Sequence, residues 1–253
     1  MSKVGVPRLL CPPIGNMHVA QYMGSEYWRK VRSIRPANLI AYWPLWEPSG
    51  AVAYDYSTFA RHGANVALGA RAAGSDGVHQ AALFDGATSY VNVYSASLAA
   101  AFNGAEGTII IWPKVYNVGV WTDTLLHWII HFCSVDGNYT IRIYKDTSNP
   151  LVWLYYTFGV TLSVALSVTP TIFKCLGMTW SKSNDRMRAF YNGLQTGVDQ
   201  TGMGVWVGAL DATRTVVGAE STVPISVWYG YIAHGALWSA ELSPSEMLQA
   251  AEV

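Results

Sequence analysis

The 253-residue sequence has few charged residues and few cysteines, and both features limit the kinds of protein it can be. Charged residues make up 13% of the chain, and 16 basic side chains balance 16 acidic ones. A nucleic-acid-binding surface needs an excess of basic residues, so we expect no nucleic-acid partner. Hydrophobic residues make up 51% of the chain, which excludes intrinsic disorder for most of it. The length fits one large domain, since β-sandwiches reach about 250 residues.

Three cysteines, Cys11, Cys133 and Cys175, show neither a CxxC pair nor a Cys/His metal-binding spacing. Two alternatives stay open: one disulfide, for example between Cys133 and Cys175, or buried free thiols. The N-terminus lacks the apolar run of a signal peptide, because only Leu9, Leu10 and Cys11 precede two prolines. We therefore expect no secretion leader.

The longest uncharged stretch, residues 147–173, is long enough to imitate a membrane helix. Within it, however, residues 160–169 alternate aliphatic side chains with serine, threonine and alanine. A period of two places the aliphatic side chains on one face of a half-buried strand. The pattern predicts a soluble protein with no membrane span.

Strand-like segments follow one another from residue 37 onward, separated by turn signals such as Asp136-Gly137 and Asn192-Gly193. With nothing helical between them, they predict an antiparallel sandwich or jelly roll. One helix is predicted at the end, where Ser243 caps, Pro244 takes the first position and Glu246 closes a capping box. The predicted strands are residues 37–44, 80–84, 90–94, 107–115, 125–134, 139–145, 151–158, 160–168, 172–181, 186–191, 194–198, 213–218 and 228–238.

Residues 1–36 differ from the rest of the chain in charge and in pattern. They carry six basic residues against Glu26 alone, a net charge of +5, whereas residues 37–253 carry −5. Prolines and glycines interrupt this segment, which predicts an extended, irregular basic arm before a domain of residues 37–253. Two alternatives stay open: the arm docks on a partner, or it packs on its own acidic domain. The candidate docking residues are Arg8, Tyr27, Trp28, Arg29, Lys30, Arg32 and Arg35.

Six groups of segments carry a family resemblance in the same order along the chain. They are LIAYWPLWEPSG (39–50), DYS with RHGA (55–57 and 61–64), LFDG (83–86), GTIIIW (107–112), RMRAFYNG (186–193), and GYI through LSPSE (230–246). Together they resemble the laminin-G-like, or concanavalin A-like, jelly-roll family over roughly residues 38–250.

The resemblance implies an all-β, antiparallel two-sheet jelly-roll sandwich with a short C-terminal helix, an irregular N-terminal arm and binding rather than catalysis. Similar domains occur in phage structural proteins. The resemblance therefore implies a virion-associated decoration protein. Its arm would anchor it to a capsid or tail subunit, within a homo-oligomer or larger assembly. Many relatives hold Ca²⁺ in the loop that matches Asp55, although that carboxylate can instead bind backbone amides.

Catalysis on this fold needs two carboxylates about 5–9.5 Å apart in its glycoside hydrolase members. No acidic pair stands at i, i+2 or i+4 on a predicted strand. A hydrolase is therefore the weakest alternative, and we predict that the protein is not an enzyme.

A glycan-binding adhesin is the stronger alternative, because sugars stack on exposed aromatic rings beside polar groups. Two glycine-rich loops contain Gly-Val-Trp, at residues 116–123 and 202–208. We expect the two loops to line one rim, unless both tryptophans turn inward as loop anchors. The candidate ligand-binding residues are Tyr116, Trp121, Asp123 and Trp206.

Overall fold

Residues 26–253 are described by the structure, a computed structural model, so Arg8 and Cys11 lie outside the described residues. The strands of this part of the chain are β1 (Leu39–Trp43), β2 (Val52–Ala53), β3 (Gly63–Val66), β4 (Gly69–Ala73), β5 (Gln80–Asp85), β6 (Tyr90–Asn92), β7 (Glu106–Val115), β8 (His127–Ser134), β9 (Tyr139–Lys145), β10 (Leu151–Thr157), β11 (Val160–Leu166), β12 (Leu176–Ser181), β13 (Arg186–Tyr191), β14 (Leu194–Gln200), β15 (Leu210–Val217) and β16 (Tyr229–Trp238). The helices are α1 (Tyr27–Ser33), α2 (Ala96–Ala101), α3 (Val118–Trp121) and α4 (Pro244–Ala250).

The strands form two antiparallel sheets of eight strands each. The first sheet has the order β14-β13-β12-β7-β16-β5-β4, with β1 also paired to β16. The second has the order β11-β10-β9-β8-β15-β6-β3-β2. The predicted fold class, an all-β two-sheet jelly-roll sandwich with a short C-terminal helix, is confirmed.

Each of the thirteen predicted strands overlaps an observed strand, whereas β2, β3 and β4 were not predicted. The predicted cap of α4 is present: the Ser243 hydroxyl accepts from the Glu246 backbone amide, and the Glu246 carboxylate accepts from the Ser243 amide. No helix in residues 26–253 has the length and apolar character needed to cross a membrane. Cys133 and Cys175 are buried free thiols, so the disulfide alternative is wrong.

The main core lies between the two sheets. Ile109 and Ile111 of β7 belong to it, together with Trp153 of β10. In β11 the buried Leu162 and Val164 alternate with exposed neighbours, as the period of two predicts.

A second apolar cluster covers the outer face of the first sheet. Ile110 and Trp112 belong to it and alternate along β7 with residues of the main core, so they lie on the opposite face. Helix α1 covers them with Tyr27 and Val31, and α4 adds Met247. The outer face of this sheet is therefore a buried layer.

Helix α1 corrects the prediction of an irregular arm up to residue 36. Tyr27, Val31 and Ile34 are spaced i, i+4 and i+7, which places them on one helical face against the sheet. Trp112 Nε1 donates to the Tyr27 hydroxyl at 2.7 Å, and that hydroxyl donates to the Ala250 carbonyl at 2.8 Å. The described end of the arm is thus part of the folded domain.

Candidate functional site

The first predicted sugar-binding loop does not present its tryptophan. Trp121 ends helix α3 and is only 3% exposed, because its ring belongs to the main core. Tyr116 is exposed and stacks on Tyr229 with ring centroids 4.7 Å apart. Core packing takes the whole indole, which is the alternative in which this tryptophan turns inward as a loop anchor.

Asp123 of this loop pairs with a buried lysine. Its carboxylate lies 2.9 Å from Lys145 Nζ and 2.7 Å from His127 Nε2, and the Lys145 side chain is 0% exposed. Burial alone would raise the Asp123 pKa, but the hydrogen bonds from His127 and Lys145 hold it below its usual value. Asp123, predicted as a ligand contact, is thus engaged in neutralising a buried lysine.

The two glycine-rich loops lie at opposite ends of the sandwich. Asp123 contacts Lys145, the last residue of β9, whereas Trp206 packs against Tyr139, the first. Seven residues of strand separate the two ends by about 20 Å. The prediction that both loops line one rim is therefore wrong, because the intervening strands run the length of the sheet.

Trp206 lies in an aromatic group at its own end of the sandwich. Its ring centroid is 5.7 Å from that of Tyr139 and 5.3 Å from that of Phe102. A Cβ on Gly104 would come within 2.0 Å of the Trp206 ring, so the indole lies directly on the backbone there. Trp206 remains half-buried, with one part of the ring anchored and another accessible.

Three exposed apolar side chains lie at the same end of the sandwich as this ring. Phe158, in the turn between β10 and β11, is 71% exposed, and Val205 is 63% exposed. A Cβ on Gly204 would meet Thr157 Oγ1 at 1.9 Å, so the Trp206 loop packs against the residue that precedes Phe158. We call Tyr139, Phe158, Val205, Trp206 and Val207 the loop-end patch.

Polar groups border the loop-end patch on the side of Tyr139. Asn138 precedes this tyrosine, and its carbonyl accepts a hydrogen bond from the Phe158 amide at 2.9 Å. Asp136 accepts from the Ser134 hydroxyl at 2.5 Å and from the Asn138 side chain at 3.0 Å. These hydrogen bonds lower the pKa of Asp136, so it is an anion rather than a proton donor at neutral pH.

Sequence reasoning missed Tyr139 and Phe158. The available signal was a phenylalanine followed by glycine in a two-residue hairpin turn, where a large apolar side chain has no core to enter. Tyr139 could not be assigned without knowing that the β8–β9 turn and the Trp206 loop share one end of the sandwich.

Asp55 binds backbone rather than exposing its oxygens. Its carboxylate accepts from the amides of Tyr42, Ser57 and Arg61, each at 2.8 Å, and from the Ser57 hydroxyl at 2.7 Å. This is the alternative in which Asp55 binds backbone amides instead of holding Ca²⁺. In residues 26–253, no group of three or more His, Cys, Asp or Glu side chains is arranged to hold a metal ion.

The arm residues divide into two groups. Lys30 donates to the Glu252 carbonyl at 2.8 Å, and Arg35 donates to Glu246 at 2.6 Å, so both pack on the arm's own domain. On the outer side of α1, Arg29 and Arg32 each place a guanidinium 5.4 Å from the ring centroid of Trp28.

No protein-family profile and no curated protein sequence matches the chain. Solved structures do share its fold. Domain 4 of AbnA, a GH43 extracellular arabinanase from Geobacillus stearothermophilus in complex with arabinotriose, superposes with a TM-score of 0.60 at 15% identity, over 85% of this chain and 98% of that one.

Two further neighbours are longer than this chain. The receptor-binding domain of botulinum neurotoxin C/D mosaic serotype gives a TM-score of 0.63 at 13% identity, over 85% of this chain and 51% of that one. Trypanosoma rangeli sialidase in complex with sialic acid gives 0.64 at 9% identity, over 92% of this chain and 37% of that one. The chain therefore shares the β-sandwich fold of these three structures.

Proposed function

We propose that the chain is a non-catalytic carbohydrate-binding module and that the loop-end patch is its sugar-binding platform. The observation that carries the proposal is the half-buried Trp206, whose ring centroid lies 5.7 Å from that of Tyr139 at the end of the sandwich where Phe158 is 71% exposed. The arabinotriose complex of a domain with the same fold supports this reading.

Stacking supplies the physical basis. The apolar face of a pyranose or furanose ring packs on an exposed aromatic side chain, and its hydroxyls need polar partners at the rim. Tyr139 and Trp206 are held 5.7 Å apart by the fold, so little ordering is needed when the ligand arrives. Asn138 and Asp136 provide the adjacent amide and carboxylate.

The site favours binding over hydrolysis. A retaining or inverting glycosidase uses one carboxyl group with a raised pKa and a second carboxylate beside it. At the loop-end patch, Asp136 has a lowered pKa because of its hydrogen bonds with Ser134 and Asn138. Such a group accepts sugar hydroxyls as an anion.

A glycan array probed with the wild-type chain and three variants tests the proposal. We expect Phe158→Ala and Trp206→Ala to lose at least tenfold in affinity for the oligosaccharide that the wild type binds. Leu194→Ala is the matched control, because Leu194 is 65% exposed in a hairpin at the opposite end of the sandwich. Absence of any oligosaccharide hit, or equal loss in Leu194→Ala, would overturn it.

A docking role for the arm is the second candidate, favoured by the cluster of Trp28, Arg29 and Arg32 on the outer side of α1. The cluster suits an acidic partner surface such as a capsid or tail subunit, as the family resemblance implies. Arg29→Glu with Arg32→Glu should then abolish co-sedimentation of the full chain with assembled particles. Unchanged co-sedimentation would exclude this role for α1.

A further inference from the structure

A pocket of about 430 Å³ opens at the edge of the sandwich farthest from β11 and β14, beside strands β3 and β4. The residues that line it include Pro48, Ser49, Ala51, Asn65 and Arg71. The volume lies within the range of small-molecule sites. None of its lining residues belongs to the loop-end patch.

Asn65 forms part of the pocket wall and is held there by hydrogen bonds. Its side-chain nitrogen donates to the Gly50 carbonyl at 3.2 Å, and its backbone amide donates to the Ala51 carbonyl at 2.9 Å. These bonds fix the amide, while its Oδ1 atom is buried without a hydrogen-bond partner. Because that atom has almost no accessible surface, Asn65 shapes the pocket wall, and the exposed Ser49 beside it is the polar group that a ligand can reach.

Arg71 brings an unused cation. Its Nε donates to the Glu47 carbonyl oxygen at 2.7 Å, which anchors the guanidinium, and its Nη1 is buried without a partner. Burial lowers the pKa of Arg71, and the charge of Glu47 only partly opposes this. Because burial raises the Glu47 pKa to about 7, that carboxyl is an incomplete counter-charge at neutral pH.

We propose that this pocket is a second binding site, for a monosaccharide-sized ligand that carries a carboxylate beside hydroxyl groups, as an acidic sugar residue does. Arg71 binds the carboxylate, for which the planar guanidinium is suited. The Ser49 hydroxyl bonds a neighbouring hydroxyl of the ligand, and Pro48 and Ala51 pack against the sugar ring.

The second site is independent of the loop-end patch. In the second sheet, β3 is separated from the β9–β10 pair by β8, β15 and β6. At about 4.8 Å per strand, the two sites lie roughly 20 Å apart. One site can therefore fail its test while the other passes.

Isothermal titration calorimetry of the full chain with glucuronate tests the proposal, because glucose carries a hydroxymethyl group where glucuronate carries the carboxylate, and acetate lacks the sugar ring. We expect glucuronate to bind at least tenfold more tightly than either. Arg71→Gln should weaken glucuronate binding at least tenfold. Ala51→Trp should do the same by filling the pocket, and it leaves the polar groups in place.

Two controls separate this site from its surroundings. Ala70 is exposed on β4 and does not line the pocket, so Ala70→Trp should bind glucuronate as the wild type does. Phe158→Ala should also bind it normally. Equal affinity for glucose or acetate, or full glucuronate binding by Ala51→Trp, would overturn the proposal even if Arg71→Gln fails to fold.

Discussion

Replacement of Asp123 by asparagine should destabilise the fold rather than weaken a ligand site. In the wild type, Lys145 is fully buried and donates to Asp123 Oδ1 at 2.9 Å and to the Leu125 carbonyl at 2.8 Å. Without Asp123 a buried ammonium keeps only a neutral partner, and breaking a buried pair costs about 3–5 kcal/mol. Because Asp123 is 24% exposed, we expect the lower end, about 3 kcal/mol.

Urea unfolding followed by tryptophan fluorescence measures this loss. The midpoint should fall while the slope m stays unchanged. Adding Lys145→Met to Asp123→Asn should recover most of the stability, because the buried charge is then gone. Asp199→Asn is the control, since its contact with Arg186 is exposed and 3.9 Å long, worth less than about 1 kcal/mol. A loss below 1 kcal/mol in Asp123→Asn, with weakened glycan binding, would refute this reasoning.

Three further outcomes follow from single contacts. Tyr27→Phe removes the hydroxyl that accepts from buried Trp112 Nε1, so it should lower the free energy of unfolding by about 1–3 kcal/mol, measured in urea. The free energy of unfolding of Glu47→Gln minus that of the wild type should increase by about 3 kcal/mol as the pH rises from 4.5 to 7. The reason is that the wild-type carboxyl, with a pKa of about 7 from burial, holds its proton in the folded state and must ionise inside the protein at higher pH. Gly104→Ala places a Cβ 2.0 Å from the Trp206 ring, so it should displace the indole and lower oligosaccharide affinity with Trp206 still present, measured by calorimetry.

Each of these outcomes has a contrary result. An unchanged midpoint in Tyr27→Phe would mean that α1 adds little to the folded domain. A difference between Glu47→Gln and the wild type that does not vary with pH would show that this carboxyl is not held protonated. Normal binding by Gly104→Ala would remove Trp206 from the site.

The strand pattern was readable from the sequence because alternation and turn residues are local signals. In β11 the alternation of Leu162 and Val164 with small polar residues gave the strand and its buried face. The short edge strand β4, rich in glycine and alanine, carries neither signal. The apolar spacing of helix α1 extends over only two turns, which is too short to be recognised as helical periodicity in the sequence.

The candidate site was only partly readable, because it is assembled from segments distant in sequence. Trp206 was predicted, but Tyr139 reaches it, and Phe158 reaches the same end of the sandwich, only through strand pairing. Burial of Trp121 likewise depends on how α3 packs against the sheet. Which aromatic ring faces solvent is thus a property of the tertiary fold.

Chemical-shift mapping with the oligosaccharide selected on the array shows which end of the sandwich binds the sugar. On titration, we predict backbone amide shifts confined to residues 136–139, 157–159 and 203–208, the segments that build the loop-end patch. Shifts centred on residues 116–126, at the opposite end of the sandwich, would contradict the account.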